Sequence, residues 1–138
     1  MKEEMQDVKN IDYVLRYLVR LADNGAELDI TLNVSGITIS GILIGNVAYL
    51  TELENELQNN EQNELEEKMS TFFDKLSEKF QKDNDQDEYE TGYLHLKQAK
   101  IIKSQGQFLI GSGLWRGKIA DVNGFSFESV KEKEKAHG

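Results

Sequence analysis

Cysteine is absent from this chain, so disulfides, thiolate nucleophiles and thiolate zinc sites are excluded. Histidine is nearly absent. His95 and His137 stand far apart, and neither belongs to a carboxylate-and-histidine constellation. No ordered base and nucleophile accompany them, so no catalytic residue, metal or cofactor is expected. Proline is missing as well, which carries no mechanism. No apolar run approaches the roughly 20 residues that cross a membrane. The start Met1-Lys2-Glu3-Glu4 lacks the regions of a signal peptide, and a soluble cytoplasmic protein is expected.

What the chain has in excess is acid, and it is unevenly placed. The formal net charge is −9. Residues 51–90 hold fourteen acids and four lysines, a net of −10, and the rest sums to +1. A near-neutral body therefore carries an acidic segment. Such a segment repels nucleic acid and anionic lipid, and favours a basic or amphipathic protein partner. At 138 residues one domain is expected, spanning the whole chain.

The body reads as α+β. Asn10 can cap a first helix over residues 10–24, with Ile11, Val14, Leu15, Leu18, Leu21 and Ala22 as its apolar stripe. Asn24-Gly25 supplies a left-handed stop, and Arg16 and Arg20 point to solvent. Residues 28–34 then alternate, which marks a half-buried strand. Ser35-Gly36 makes a two-residue hairpin that sets Val34 against Ile37, Leu32 against Ile39, Ile30 against Gly41 and Leu28 against Leu43. Gly41 suits a bulge. Further strands are expected over Tyr93–Lys103 and Phe108–Ile110. Leu114–Val122 and Phe125–Val130 read as a second hairpin about Asn123-Gly124, with Val122 against Phe125 and Ala120 against Phe127. The strand body is thus 28–45 and 93–130, followed by a frayed tail at 131–138. About five short strands in this order predict a small antiparallel barrel-like sheet of Sm-like or SH3-like order, with the helix on one face.

Residues 46–90 interrupt the strands as a helical acidic insertion and linker. Tyr49, Leu50, Leu53 and Leu57 share one helical face, and Thr51 with Glu54 suggests a capping box. Leu65, Met69, Phe72, Phe73, Leu76 and Phe80 form a second stripe at i, i+4, i+7, i+8, i+11 and i+15. A stripe of this kind is most often core. Its alternative is a docking face for a partner or a second copy of the chain, because helix-in-groove binding uses anchors at this spacing. Phe72, Phe73 and Phe80 would be the anchors, with surrounding glutamates giving orientation. The run Asp83-x-Asp85-x-Asp87 lacks the glycine and the twelfth-position glutamate of a calcium loop, so it reads as linker.

Two other patterns resemble binding motifs. Gly111-x-Gly113 lacks the context of a phosphate cradle and reads as a loop. Lys97, Lys100, Lys103, Arg116 and Lys118, with Tyr93 and Trp115, are the material of a small single-strand nucleic-acid site, although the overall acidity opposes it.

Three segments taken together are similar to a known family. They are Leu28–Gly41, then Leu94-His95-Leu96-Lys97-Gln98-Ala99-Lys100-Ile101, then Trp115-Arg116-Gly117-Lys118-Ile119-Ala120-Asp121-Val122-Asn123-Gly124-Phe125. In content and order they resemble the gas-vesicle accessory protein U family, and the last is the most specific. The resemblance implies a non-enzymatic, non-shell accessory that associates with gas vesicles and influences their clustering or assembly. Its implied partners are vesicle shell or accessory proteins, or further copies of itself as a homo-oligomer. Trp115, Arg116, Gly117 and Lys118 carry the family motif, and Trp115 reads as core packing beside a hairpin. The alternatives are an Sm-like RNA-binding module and a self-assembling structural protein.

Overall fold

The computed structural model describes residues 12–59, 64–83 and 92–131. Helix α1 is Tyr13–Asp23. Its N-cap is Asp12, whose Oδ1 accepts from the N–H groups of Val14 and Leu15, each at 3.1 Å. The cap expected at Asn10 lies outside the described residues. The C-terminal stop is as expected. Gly25 adopts φ 110°, its N–H donates to Ala22 O at 2.9 Å, and Ala26 N–H donates to Leu21 O at 3.1 Å. Those paired bonds satisfy carbonyls that the helix end would leave open. The buried stripe is Leu15, Leu18, Val19 and Ala22. Val14, expected in that stripe, is exposed, and Val19 takes its place. The substitution follows from i, i+3, i+4, i+7 spacing counted from Leu15. Arg20 is exposed and Arg16 is half-buried.

Strands β1 (Glu27–Val34) and β2 (Ile37–Ile44) form the first hairpin in the expected register, including Val34 against Ile37 and Leu28 against Leu43. Both turn residues have positive φ, 53° at Ser35 and 83° at Gly36. That turn geometry matches the right-handed twist of the paired strands.

The chain then forms helices α2 (Asn46–Asn59) and α3 (Glu64–Asp83), before β3 (Tyr93–Lys103), β4 (Gly106–Leu109), β5 (Trp115–Lys118) and β6 (Val122–Lys131). Thr51 is mid-helix, where its hydroxyl donates to Val47 O at 3.0 Å, so the capping box expected there does not form. The six strands make one antiparallel sheet in the order β4-β3-β2-β1-β6, with β5 also paired to β3. It is not closed, so the expected barrel is not formed.

The expected second hairpin is also absent. Asn123-Gly124 does not turn the chain: β5 and β6 are joined earlier, by a 3-10 turn over Ile119–Asp121, and pair with different strands. Strand β5 pairs with β3, setting Trp115 against Leu96, and β6 runs straight through Asn123-Gly124 along β1. Phe125 therefore faces Leu32, and Val122 faces Val34. Long-range pairing outcompetes the local turn signal here. It matches the apolar face of β1, which a β5–β6 hairpin would leave without its second neighbour.

The bulge at Gly41 is present. Ser40 pairs with Lys100 and Ile42 with Lys97, so Gly41 opposes two residues of β3. One of them, Gln98, has φ 54°. A Cβ at Gly41 would lie 3.1 Å from Lys97 O and 3.2 Å from Ala99 Cα, a tight approach that any other residue would have to widen by a few tenths of an ångström. Leu15, Leu18, Val19 and Ala22 of α1 pack with Leu28, Ile30, Leu32, Ile39, Leu43, Leu94, Leu96 and Ala99 as one core. Trp115, Val122 and Phe125 border it.

Asn123 has a different use from the one its sequence context suggests. It sits at a register shift in β6, and its Oδ1 accepts from Ser35 N–H at 2.8 Å. It therefore fastens the turn of the first hairpin to the opposite end of the chain. Replacing it, Asn123→Ala, is expected to cost about 0.5–1.5 kcal/mol in urea unfolding, the worth of one such bond. An unchanged midpoint would show that the turn needs no fastening.

Candidate interaction surface

The insertion is tied to the body at two places. At the first, Gly45 lies against the end of α1: a Cβ there would sit 2.6 Å from Asp23 Cα. Asp23 Oδ1 accepts from Asn46 N–H at 3.0 Å, at the first turn of α2. A carboxylate at a helix N-terminus is favoured by the exposed N–H groups and the dipole. Burial nonetheless pushes the Asp23 pKa up, against the lowering by that bond and by Arg20.

The second tie is a ring cluster on the sheet face opposite the core. Side chains alternate along a strand, so Leu94 and Leu96 enter the core while Tyr93 and His95 face the other way. Tyr49 of α2 stacks on His95, with centroids 4.4 Å apart and planes at 30°. Arg116, directly opposite His95 on β5, donates from Nε to His95 Nε2 at 3.2 Å, and its guanidinium lies 3.9 Å from the centroid of the Tyr93 ring. His95 is only 4% exposed. Burial, and then the Arg116 charge, lower its pKa to about 3. The ring is therefore neutral, with its Nε2 lone pair accepting from Arg116.

From those ties α2 and α3 extend as a helical hairpin. Leu50 of α2 is buried, and Leu53 and Leu57 are half-buried. Helix α3 packs chiefly on α2. That packing divides the stripe read from the sequence. Phe80 is buried, and Phe73 and Leu76 are half-buried. Leu65, Met69 and Phe72 are turned outward, 64%, 39% and 59% exposed. One half of the stripe is core, and the other is an apolar surface. Between the two helices Glu54 Oε2 is buried with no hydrogen-bond partner. Burial and the nearby Asp74 charge push the Glu54 pKa up. The two helices thus meet across a like-charge pair as well as an apolar seam.

The motif residues separate by face. Trp115 and Gly117 share the core side, where they oppose Leu96 and Leu94. A Cβ on Gly117 would meet the Trp115 ring, 2.7 Å from Cζ2 and 2.9 Å from Cζ3. The indole therefore lies flat over Gly117, and this close approach is why a glycine follows two positions after the tryptophan. Arg116 and Lys118 share the opposite face, Arg116 in the ring cluster and Lys118 opposite Tyr93.

The basic residues are not gathered into one site. Lys97 pairs with Glu27 at 3.1 Å. Lys100 and Gln98 line a shallow polar groove of about 180 Å³ that also includes Asp29, Thr31, Ser40 and Gln107. Lys103 lies near the Phe108 ring, 5.8 Å from its centroid, on the core side of the sheet. Tyr93 and Trp115 end up on opposite faces, so no stacking platform joins them. The aspartate run at 83–87 and the tail with His137 lie outside the described residues beyond Asp83.

The chain matches the Gas vesicle protein GvpU-like family over residues 12–130. The chain belongs to that family. It is therefore a gas vesicle-related protein. No curated protein and no solved structure matches it. Among the described residues, no helix is long and apolar enough to cross a membrane. The family match spans both the tryptophan motif and the α2–α3 hairpin, so the outward stripe is part of the family region. The sequence missed the His95–Arg116–Tyr49 cluster. Its one available signal was a histidine between two core leucines and so out of phase with them, which marks the opposite face without naming the partners.

Two predictions follow from these sites. Gly117→Ala drives a methyl into the indole and is expected to destabilise the fold by about 1–3 kcal/mol. Trp115 is the sole tryptophan, so its emission should shift to the red if the ring leaves the core edge. Unchanged stability and emission would contradict the packing described. His95 is held neutral in the fold but titrates at its ordinary value of 6.5 when unfolded, so stability falls as pH drops below 6.5 toward about 3. Between about pH 7 and about pH 5 this amounts to about 2 kcal/mol, which His95→Phe should remove. Equal losses in wild type and variant, measured by urea unfolding, would contradict the buried neutral ring.

Proposed function

We propose that this protein is a non-enzymatic cytoplasmic accessory of gas vesicles that influences their clustering or assembly by docking vesicle shell or accessory proteins on α3. The observation that carries the reading is the outward stripe of Leu65, Met69 and Phe72 on a helix whose remaining apolar side chains are spent on α2. Burying such side chains against a partner stabilises a complex by about 1.5–3 kcal/mol each. A soluble fold gains nothing from exposing three of them in line. Family membership supplies the process, and the stripe supplies the means. The dispersal of the basic residues and the placement of Tyr93 and Trp115 on opposite faces weigh against the RNA-binding alternative. Light scattering of wild type and the stripe variant separates self-association through the same stripe from docking.

The test is flotation with purified gas vesicles. Leu65→Ser combined with Phe72→Ser should leave the fold intact, because both side chains are exposed, and surface substitutions usually change stability by less than about 0.5 kcal/mol. Co-flotation should fall at least about ten-fold, the loss expected when docking anchors are removed. Undiminished flotation of the variant would refute docking by this stripe. Loss of a wild-type oligomer with no change in flotation would assign the stripe to self-association.

A further inference from the structure

The charges that border the outward stripe differ from the charge of the segment as a whole. On a helix of 3.6 residues per turn, Lys68, Lys75 and Lys79 recur at i, i+7 and i+11 and line the flank of Leu65, Met69 and Phe72 that faces away from α2. All three lysines are exposed. Glu67, Asp74 and Glu78 repeat the same spacing one residue out of phase, on the far side of the helix from the stripe. Asp74 is close enough to Glu54 to raise its pKa, which fixes that acidic row toward the α2 side. The order around α3 is thus acidic row, seam with α2, apolar stripe, lysine row.

This order determines which charge a docked partner meets. Side chains three or four apart on a helix lie about 5–6 Å from each other at Cβ. At physiological ionic strength charges more than about 8 Å away are largely screened. The lysines act at contact distance on anything seated on the stripe, while the acidic row sits around the helix. The net charge of −9 governs long-range encounter, but the lysine row governs the docked state.

We infer that the α3 surface takes an acidic amphipathic helix of a partner protein, with apolar anchors on Leu65, Met69 and Phe72 and carboxylates along Lys68, Lys75 and Lys79. The inference rests on the reading that the stripe is a docking surface, and it reverses the basic partner that the overall charge suggests. The length fits a helix: Leu65 to Leu76 spans about 16 Å, three turns. A flat anionic lipid surface fits less well. It would need lysines on both flanks, and α2 supplies no base, whereas a helix can present its carboxylates to the lysine row alone.

The probes are two labelled synthetic helices of about 18 residues, long enough to hold a helical face. Both carry leucines at i, i+3 and i+4 spacing. One borders them with glutamate, the other with lysine. Anisotropy titration with the full chain should show the glutamate helix binding at least about ten-fold more tightly, a separation that rim charges on both partners can produce. Lys68→Glu, Lys75→Glu and Lys79→Glu together should reverse the preference. Equal binding, the opposite preference, or no binding of either helix would overturn the inference. So would co-sedimentation with phosphatidylglycerol vesicles in place of helix binding. Flotation separates this failure from failure of the docking reading. If Leu65→Ser with Phe72→Ser abolishes vesicle binding while the triple reversal leaves it intact, docking stands and the acidic partner falls.

Discussion

Strand β3 must serve different neighbours along its length, and the bulge opposite Gly41 lets it do so. Its first half pairs with β5 and its second with β4, while β2 runs along the other edge. The change of neighbour occurs at Gln98, in the left-handed region, where Ala99 N–H donates to Gly113 O at 2.8 Å and Ile110 N–H donates to Ala99 O at 2.9 Å. A side chain at 41 would push the β2 and β3 backbones apart by a few tenths of an ångström, next to the stretch of β3 that faces Trp115 of β5 to the core and Arg116 to the ring cluster. The anchoring of α2, and with it the placing of α3, depends on the register of that stretch.

The same dependence explains what could be read from the chain beforehand. The Ser35-Gly36 hairpin was legible because its turn and its four apolar pairs are local and agree with each other. The Gly41 bulge was legible from a glycine where the apolar phase changes. Asn123-Gly124 misled, because β6 takes its partner from the far end of the chain, and no local signal ranks β1 above β5. The count of about five short strands also favoured a closed barrel over the open sheet. The 3.6-residue period marked the Leu65–Phe80 stripe correctly, but the half that stays outside is decided by where α2 lies, which the period does not contain.

The tryptophan motif proves mainly architectural. Trp115 and Gly117 are a matched pair, a ring and the absent Cβ that admits it. Arg116 holds a neutral histidine under a tyrosine of the insertion. These residues build the base from which the helical hairpin projects, and the exposed apolar stripe lies on the hairpin. Charge divides in the same way among the described residues of α3: Glu67, Asp74 and Glu78 lie away from the stripe, and Lys68, Lys75 and Lys79 border it.

The central claim is that Leu65, Met69 and Phe72 form the surface that vesicles cover. The chain has no cysteine, so a single thiol reports one position without background. Met69→Cys places that thiol in the stripe, and Val14→Cys places a control on the exposed side of α1. Alkylation rates with and without purified gas vesicles give the most direct measurement. Slower alkylation at position 69 alone is the result this account predicts. Equal rates at 69 with and without bound vesicles would contradict it.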